Sequence, residues 1–132
     1  GGTPMTYSMS TTLDRPYDQA VADVRAALAE QGFGVITEID MQAALKEKIG
    51  ADIEPQIILG ACSPNHAYRA LQVEPSVGVL LPCNVVVRAE GADRSVVEMI
   101  NPQMMVEIAE GDGMQEVADE VTAKLSAALD SL

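Results

Sequence analysis

The residues best suited to chemistry in this chain are two cysteines and its one histidine. Cys62 lies in Ile58-Leu59-Gly60-Ala61-Cys62-Ser63-Pro64-Asn65-His66, so the histidine follows it at four residues, close to one helical turn. Cys83 lies in Leu80-Leu81-Pro82-Cys83-Asn84-Val85, inside the most apolar stretch of the protein. Ser63-Pro64 reads as a helix start, because serine caps well and proline suits the first helical position. A thiol just ahead of such a cap meets unpaired backbone N–H groups. These favour the thiolate and can lower a cysteine pKa below its free value of about 8.5. Cys62 is therefore the candidate nucleophile, with Ser63, Asn65, Cys83 and Asn84 as candidate ligand-binding neighbours. The competing reading makes Cys62 a small buried hydrophobe at a strand end, since free cysteine is among the most buried residue types.

The segment carrying Cys83 is expected beside the strand that ends at Ala61, which would bring the two thiols together. Three outcomes are open: a disulfide, which needs Cα atoms within about 7 Å, a two-thiolate metal site, or two unrelated buried residues. Cys62, His66 and Cys83 form a soft ligand set suited to zinc or cuprous copper, though three ligands fall short of a closed structural zinc site. A local Cys-x-x-Cys is absent, which argues against thioredoxin-like chemistry. Met99, Met104 and Met105 could offer thioethers, but methionine also fills irregular cores, and core packing is the reading adopted here. Ser63 with His66 is assigned to helix capping. No nucleophilic triad, paired carboxylates, calcium loop or phosphate loop emerges from the spacing.

These residues need a scaffold, and periodicity supplies one. Met5 to Thr12 alternates as a half-buried strand, and Asp14-Arg15-Pro16 opens a helix, with Asp14 or Arg15 at the cap. Its stripe is Tyr17, Ala20, Val21, Val24, Ala27 and Leu28, closed by Gly32. Phe33 to Asp40 is a strand with Phe33, Val35, Thr37 and Ile39 on one face, and Met41 to Ile49 a short helix. Gln56 to Ala61 is a central strand, followed by a helix carrying Ala67, Tyr68, Ala70 and Leu71. Val77 to Arg88, interrupted by Pro82, pairs with Arg94 to Ile100 as a hairpin; the proline implies an edge, bulge or bend. A short helix around Met104 to Ile108 precedes a final one with Met114, Val117, Val121, Leu125, Ala128 and Leu132 on one face. The fold class is α+β: a single two-layer domain over residues 5–132, with a mixed sheet of about five strands packed against helices.

Bulk composition limits the partners. The chain has 132 residues, 48% of them hydrophobic, enough for one core, yet only one Phe, three Tyr and no Trp. A net charge of −12 repels nucleic-acid phosphates and anionic lipid, and the aromatic platforms of single-strand binders are missing. Neither nucleic acid nor membrane is expected as a partner, and no apolar run reaches the roughly 18 residues of a membrane span. Gly1 and Gly2 read as a tag-cleavage scar, with residues 1–4 outside the domain. With Met5 as the start the expected compartment is the cytoplasm. A leader already removed would make it the periplasm.

Three segments carry a resemblance. Gly32-Phe33-Gly34-Val35-Ile36-Thr37-Glu38-Ile39-Asp40 comes first, and Leu59-Gly60-Ala61-Cys62-Ser63-Pro64 with Ala67 and Ala70-Leu71 second. Gly78-Val79-Leu80-Leu81-Pro82-Cys83-Asn84-Val85-Val86-Val87 is third. In this order and spacing the chain resembles the bacterial domain-of-unknown-function family 302. The resemblance implies a two-layer α+β domain, often a homodimer, and brings no activity or cofactor with it.

Three functional classes follow. The first is a binding or carrier module for a small molecule, sulfur species or soft metal, centred on Cys62 and Cys83. The second is a thiol-dependent enzyme of sulfur or redox metabolism, with Cys62 as nucleophile and Asn84 or backbone N–H groups stabilising negative charge. The third is a structural partner-binding domain with inert cysteines.

Overall fold

Glycine and proline set many of the element boundaries in the computed structural model, which describes residues 6–109 and 111–132. The chain runs β1 (Ser8–Leu13), α1 (Tyr17–Glu30), β2 (Gly34–Asp40), α2 (Met41–Ile49), β3 (Gln56–Cys62) and α3 (Pro64–Val73). A 3-10 segment (Pro75–Leu80) follows, then β4 (Cys83–Ala89), β5 (Ser95–Ile100), α4 (Gln103–Ile108) and α5 (Met114–Asp130). Helix α1 ends in a Schellman motif: Phe33 N–H donates to Leu28 O at 3.0 Å and Gly32 N–H to Ala29 O at 3.0 Å. Gly32 takes φ +82°, the left-handed conformation that such an ending requires. The motif buries Phe33 and Leu28 together in the core. The expected scar at residues 1–4, and Met5, lie outside the described residues.

The five strands lie in the order β1-β5-β4-β3-β2, and every neighbouring pair is antiparallel. The α+β two-layer architecture and strand number agree with the sequence reading. The mixed strand direction does not. A helix between adjacent strands gives a parallel pair only when it carries the chain back along the sheet. Here α3 runs out for about 15 Å at 1.5 Å per residue, and the 3-10 segment returns for about 12 Å at 2 Å per residue. The chain thus re-enters at the end it left, so Ala61 pairs with Cys83 across β3 and β4.

Other boundaries shift for local reasons. The apolar run expected as one strand from Val77 splits: Val77 to Leu80 belong to the 3-10 segment, and β4 starts only at Cys83, after Pro82. Proline has no N–H for a ladder and falls outside the strand. Strand β2 carries a bulge between Val35 and Thr37, which breaks the expected face of Phe33, Val35, Thr37 and Ile39. Phe33 remains buried, whereas Thr37 and Ile39 are exposed. Pro16 itself occupies the cap position of α1, in place of Asp14 or Arg15.

The core fills the space between the helices and one face of the sheet. Leu59, Val85, Val87, Val97 and Met99 alternate onto that face and meet Val24 and Leu28 of α1 and Val117, Val121 and Leu125 of α5. Helix α5 (Met114–Asp130) presents its expected stripe from Met114 to Ala128, with Leu132 past its end, and Tyr68 and Leu71 of α3 are exposed. Among the described residues no helix is long and apolar enough to cross a membrane.

Candidate functional site

The antiparallel order places the start of β2, the end of β3 and the start of β4 at one end of the sheet. Cys62 pairs with Gly34 across β2 and β3, one position beyond the Ala61–Cys83 pair. Between this end of the sheet and the helices opens a cavity of about 310 Å³. The sheet side contributes Ala61, Cys62 and Cys83, and the strand entries add Phe33, Leu81 and Pro82. Helix α3 supplies His66 and Ala67 after Ser63 at its cap, while Met105 of α4 and Val121 of α5 complete the helical wall. The bulge in β2 releases Ile36 from the ladder; it lines the cavity while 62% exposed. The lining is almost wholly apolar, with the thiols, the Ser63 hydroxyl and the imidazole as its polar groups.

The structure therefore brings Cys62, Cys83, Ser63 and His66 to one cavity. Both cysteines are free thiols, Cys83 buried and Cys62 half-buried. Burial pushes the Cys83 thiol up to about 11, and the neighbouring Cys62 pushes in the same direction. Asn65 and Asn84 do not line the cavity. Asn65 is exposed on α3, and strand alternation turns Asn84 to the sheet face opposite Cys83, across from Gly60.

The metal set changes in the same way. Among the described residues no group of three or more His, Cys, Asp or Glu side chains is arranged to hold a metal ion. The imidazole nitrogens face other groups. Nδ1 lies 2.7 Å from the Ser63 hydroxyl, and Nε2 lies 3.4 Å from Glu120 Oε1. Ser63 makes no side-chain cap; its carbonyl starts the helix instead, accepting from Ala67 N–H at 2.9 Å. The capping role expected for the Ser63 hydroxyl is thus replaced by a bond to His66.

Sequence reasoning missed Glu120 and Arg69. Arg69 donates to Glu120 through both terminal nitrogens, at 3.1 and 2.8 Å, the paired geometry that fixes a carboxylate most firmly. These bonds hold the Glu120 carboxyl below the usual carboxylate range, with His66 adding to the effect. In the neutral imidazole, Nε2–H then faces an acceptor-only carboxylate, and Nδ1 is left to accept from the Ser63 O–H. At 3.4 Å the His66–Glu120 contact is longer than a full hydrogen bond. Helix α5 thus delivers Val121 to the cavity wall and Glu120 to the histidine.

An all-antiparallel five-stranded sheet with helices on one face, closed at one end over two thiols, defines a two-layer α+β domain. The chain belongs to the family described as domain of unknown function DUF302, which it matches over residues 9–132. Its fold is similar to the crystal structure of an uncharacterized conserved DUF302 protein from Bacillus stearothermophilus. That similarity has a TM-score of 0.86 at 27% identity, covering 96% of this chain and 98% of the other. No curated protein sequence matches the chain.

Proposed function

We propose that this domain is a binding module for a compact, predominantly apolar small molecule that occupies the cavity and meets the Cys62 thiol at its wall. The observation that supports this reading is the cavity itself. Its volume of about 310 Å³ lies at the lower end of the range that small-molecule sites occupy, and its lining is almost wholly apolar. Phe33, Leu81, Pro82 and Met105 supply apolar contact, while Ser63 and His66 can orient one polar group. Cys62 is the member of the pair that a soft or electrophilic ligand group would meet, because it is half-buried at the cavity whereas Cys83 is buried.

Native mass spectrometry of the protein, with and without reductant, tests the reading. The expected result is a bound mass retained in the wild type and lost in Ala67→Phe, whose ring would fill the cavity. Loss in Cys62→Ala as well would make the bound species thiol-attached. A clean apo mass, together with no uptake from a library of small apolar compounds, would refute the proposal and return the cysteines to the core.

A further inference from the structure

The bonds around His66 do more than position a ligand. Ser63 Oγ at 2.7 Å from Nδ1 satisfies the contact a general base needs with the hydroxyl it activates. The other ring nitrogen faces Glu120, itself clamped by Arg69. That is the nucleophile–base–orienter order of acyl-transfer sites, recognised by geometry and not by chain position. Ser63 and His66 are both lining residues of the apolar cavity, which offers beside them a space suited to an acyl chain. The helix adds a further element. Pro64 has no N–H, and the first bond of α3 is made by Ala67, so the amides of Asn65 and His66 precede the helical ladder. With the Ser63 side chain turned to the imidazole, these amides remain available to negative charge developing beside Oγ.

We propose that Ser63 is the nucleophile of an acyl-transfer site, with His66 as its general base and Glu120, held by Arg69, as a positioning residue. Its substrates are esters of short apolar carboxylic acids whose acyl chain enters the cavity. Ser63 Oγ attacks the carbonyl carbon while its proton passes to His66 Nδ1, and the carbonyl oxygen takes the negative charge. Collapse of this tetrahedral species breaks the bond to the alcohol oxygen, which leaves with the proton from Nδ1. Water then attacks the acyl-serine, giving one proton to Nδ1. The acid departs, and Ser63 recovers its hydroxyl proton from the imidazole. No oxidant or metal enters the balance.

The proposal rests on the cavity reading for its substrate pocket but uses Ser63 where that reading uses Cys62. The test is hydrolysis of p-nitrophenyl butyrate by the full chain, combined with labelling by an alkyl fluorophosphonate. Expected are turnover by the wild type and one phosphonyl adduct mapped to Ser63. Ser63→Ala should lose at least 100-fold in kcat, within the usual worth of an activated nucleophile and base. Since the carbonyl of residue 63 starts the helix, this variant keeps α3, and circular dichroism confirms it. Glu120→Gln should lower kcat by about 10-fold with KM unchanged and slow the labelling of Ser63, which a purely structural contact would not do. Absence of turnover and of a Ser63 adduct in a protein that still takes up apolar ligands overturns the acyl-transfer proposal alone. Absence of both turnover and uptake overturns the binding reading as well. Full activity in Ser63→Ala with loss in Cys62→Ala overturns it in favour of the thiol.

Discussion

Cys83 ties the stability of the domain to alkaline pH. Its thiol is raised from 9.0 to about 11, first by burial and then by the neighbouring Cys62. A thiol whose folded-state pKa exceeds its unfolded value binds its proton more tightly in the native state. The resulting stability is complete below pH 9 and is lost as pH rises from about 9 to about 11. Each pH unit of separation corresponds to about 1.4 kcal/mol, so the loss across this window is roughly 2–3 kcal/mol. Lysines and tyrosines also titrate there, so the assay must be differential. Urea midpoints of the wild type and Cys83→Ala, measured in steps from pH 7.5 to 11, provide it. Cys83→Ala starts less stable, having lost a buried sulfur, but its curve should fall less steeply above pH 9 and the gap should narrow by roughly 2 kcal/mol. Parallel curves over the whole range would refute the argument. They would mean that the thiol is solvated in the native state and that the cavity wall is open where the structure closes it.

Three further outcomes follow from the packing. A Cβ at Gly60 would meet the Thr37 hydroxyl and lie 2.8 Å from Pro82 Cγ, so Gly60→Ala should cost about 1–3 kcal/mol, seen as a lower melting temperature and recovered in part by Thr37→Ala. Leu125 is fully buried on α5 beneath the sheet, and Leu125→Ala should cost about 2–5 kcal/mol by urea unfolding. Ser95 is fully buried and donates to Arg15 O at 2.9 Å, so Ser95→Ala should cost about 1–3 kcal/mol by leaving that carbonyl unpaired. A shift below 0.5 kcal/mol at any of the three would show that the packing there gives way without cost.

The elements were legible in the sequence wherever a single physical signal controlled them. The stripe Met114, Val117, Val121, Leu125 and Ala128 predicts both α5 and its buried face, because helical period and burial agree. Strand direction was not legible between β3 and β4. It depends on whether the chain between them crosses the sheet or returns, and that turns on Pro75 to Leu80 forming a 3-10 segment where the composition reads as strand. The β2 bulge was hidden for a related reason. Alternation of Phe33, Val35, Thr37 and Ile39 is a period-two pattern, and one extra residue opposite Gly60 inverts it without leaving a compositional trace. Gly60 is the partial signal, since close approach by Thr37 and Pro82 leaves no room there for a side chain.

The site divides along the same line between local and distant. Cys62, Ser63 and His66 fall within five residues, so the sequence alone nominates them, and β3–β4 pairing adds Cys83. Glu120 stands more than fifty residues from His66, on a helix whose exposed face is rich in acidic residues. Nothing local separates it from Glu116, which lies 3.7 Å from Arg69 and out of the two-pronged pairing. The distinction is made by α3 packing against α5, which sets Glu120 between Arg69 and His66. It also alters the chemistry attached to Ser63. Read alone, Ser63-Pro64 is a cap; in the fold the hydroxyl lies 2.7 Å from His66 Nδ1 and the cap is carried by the carbonyl. The fold thereby frees the Ser63 side chain from the cap, and it is the helix pair, not the motif, that sets it against the imidazole.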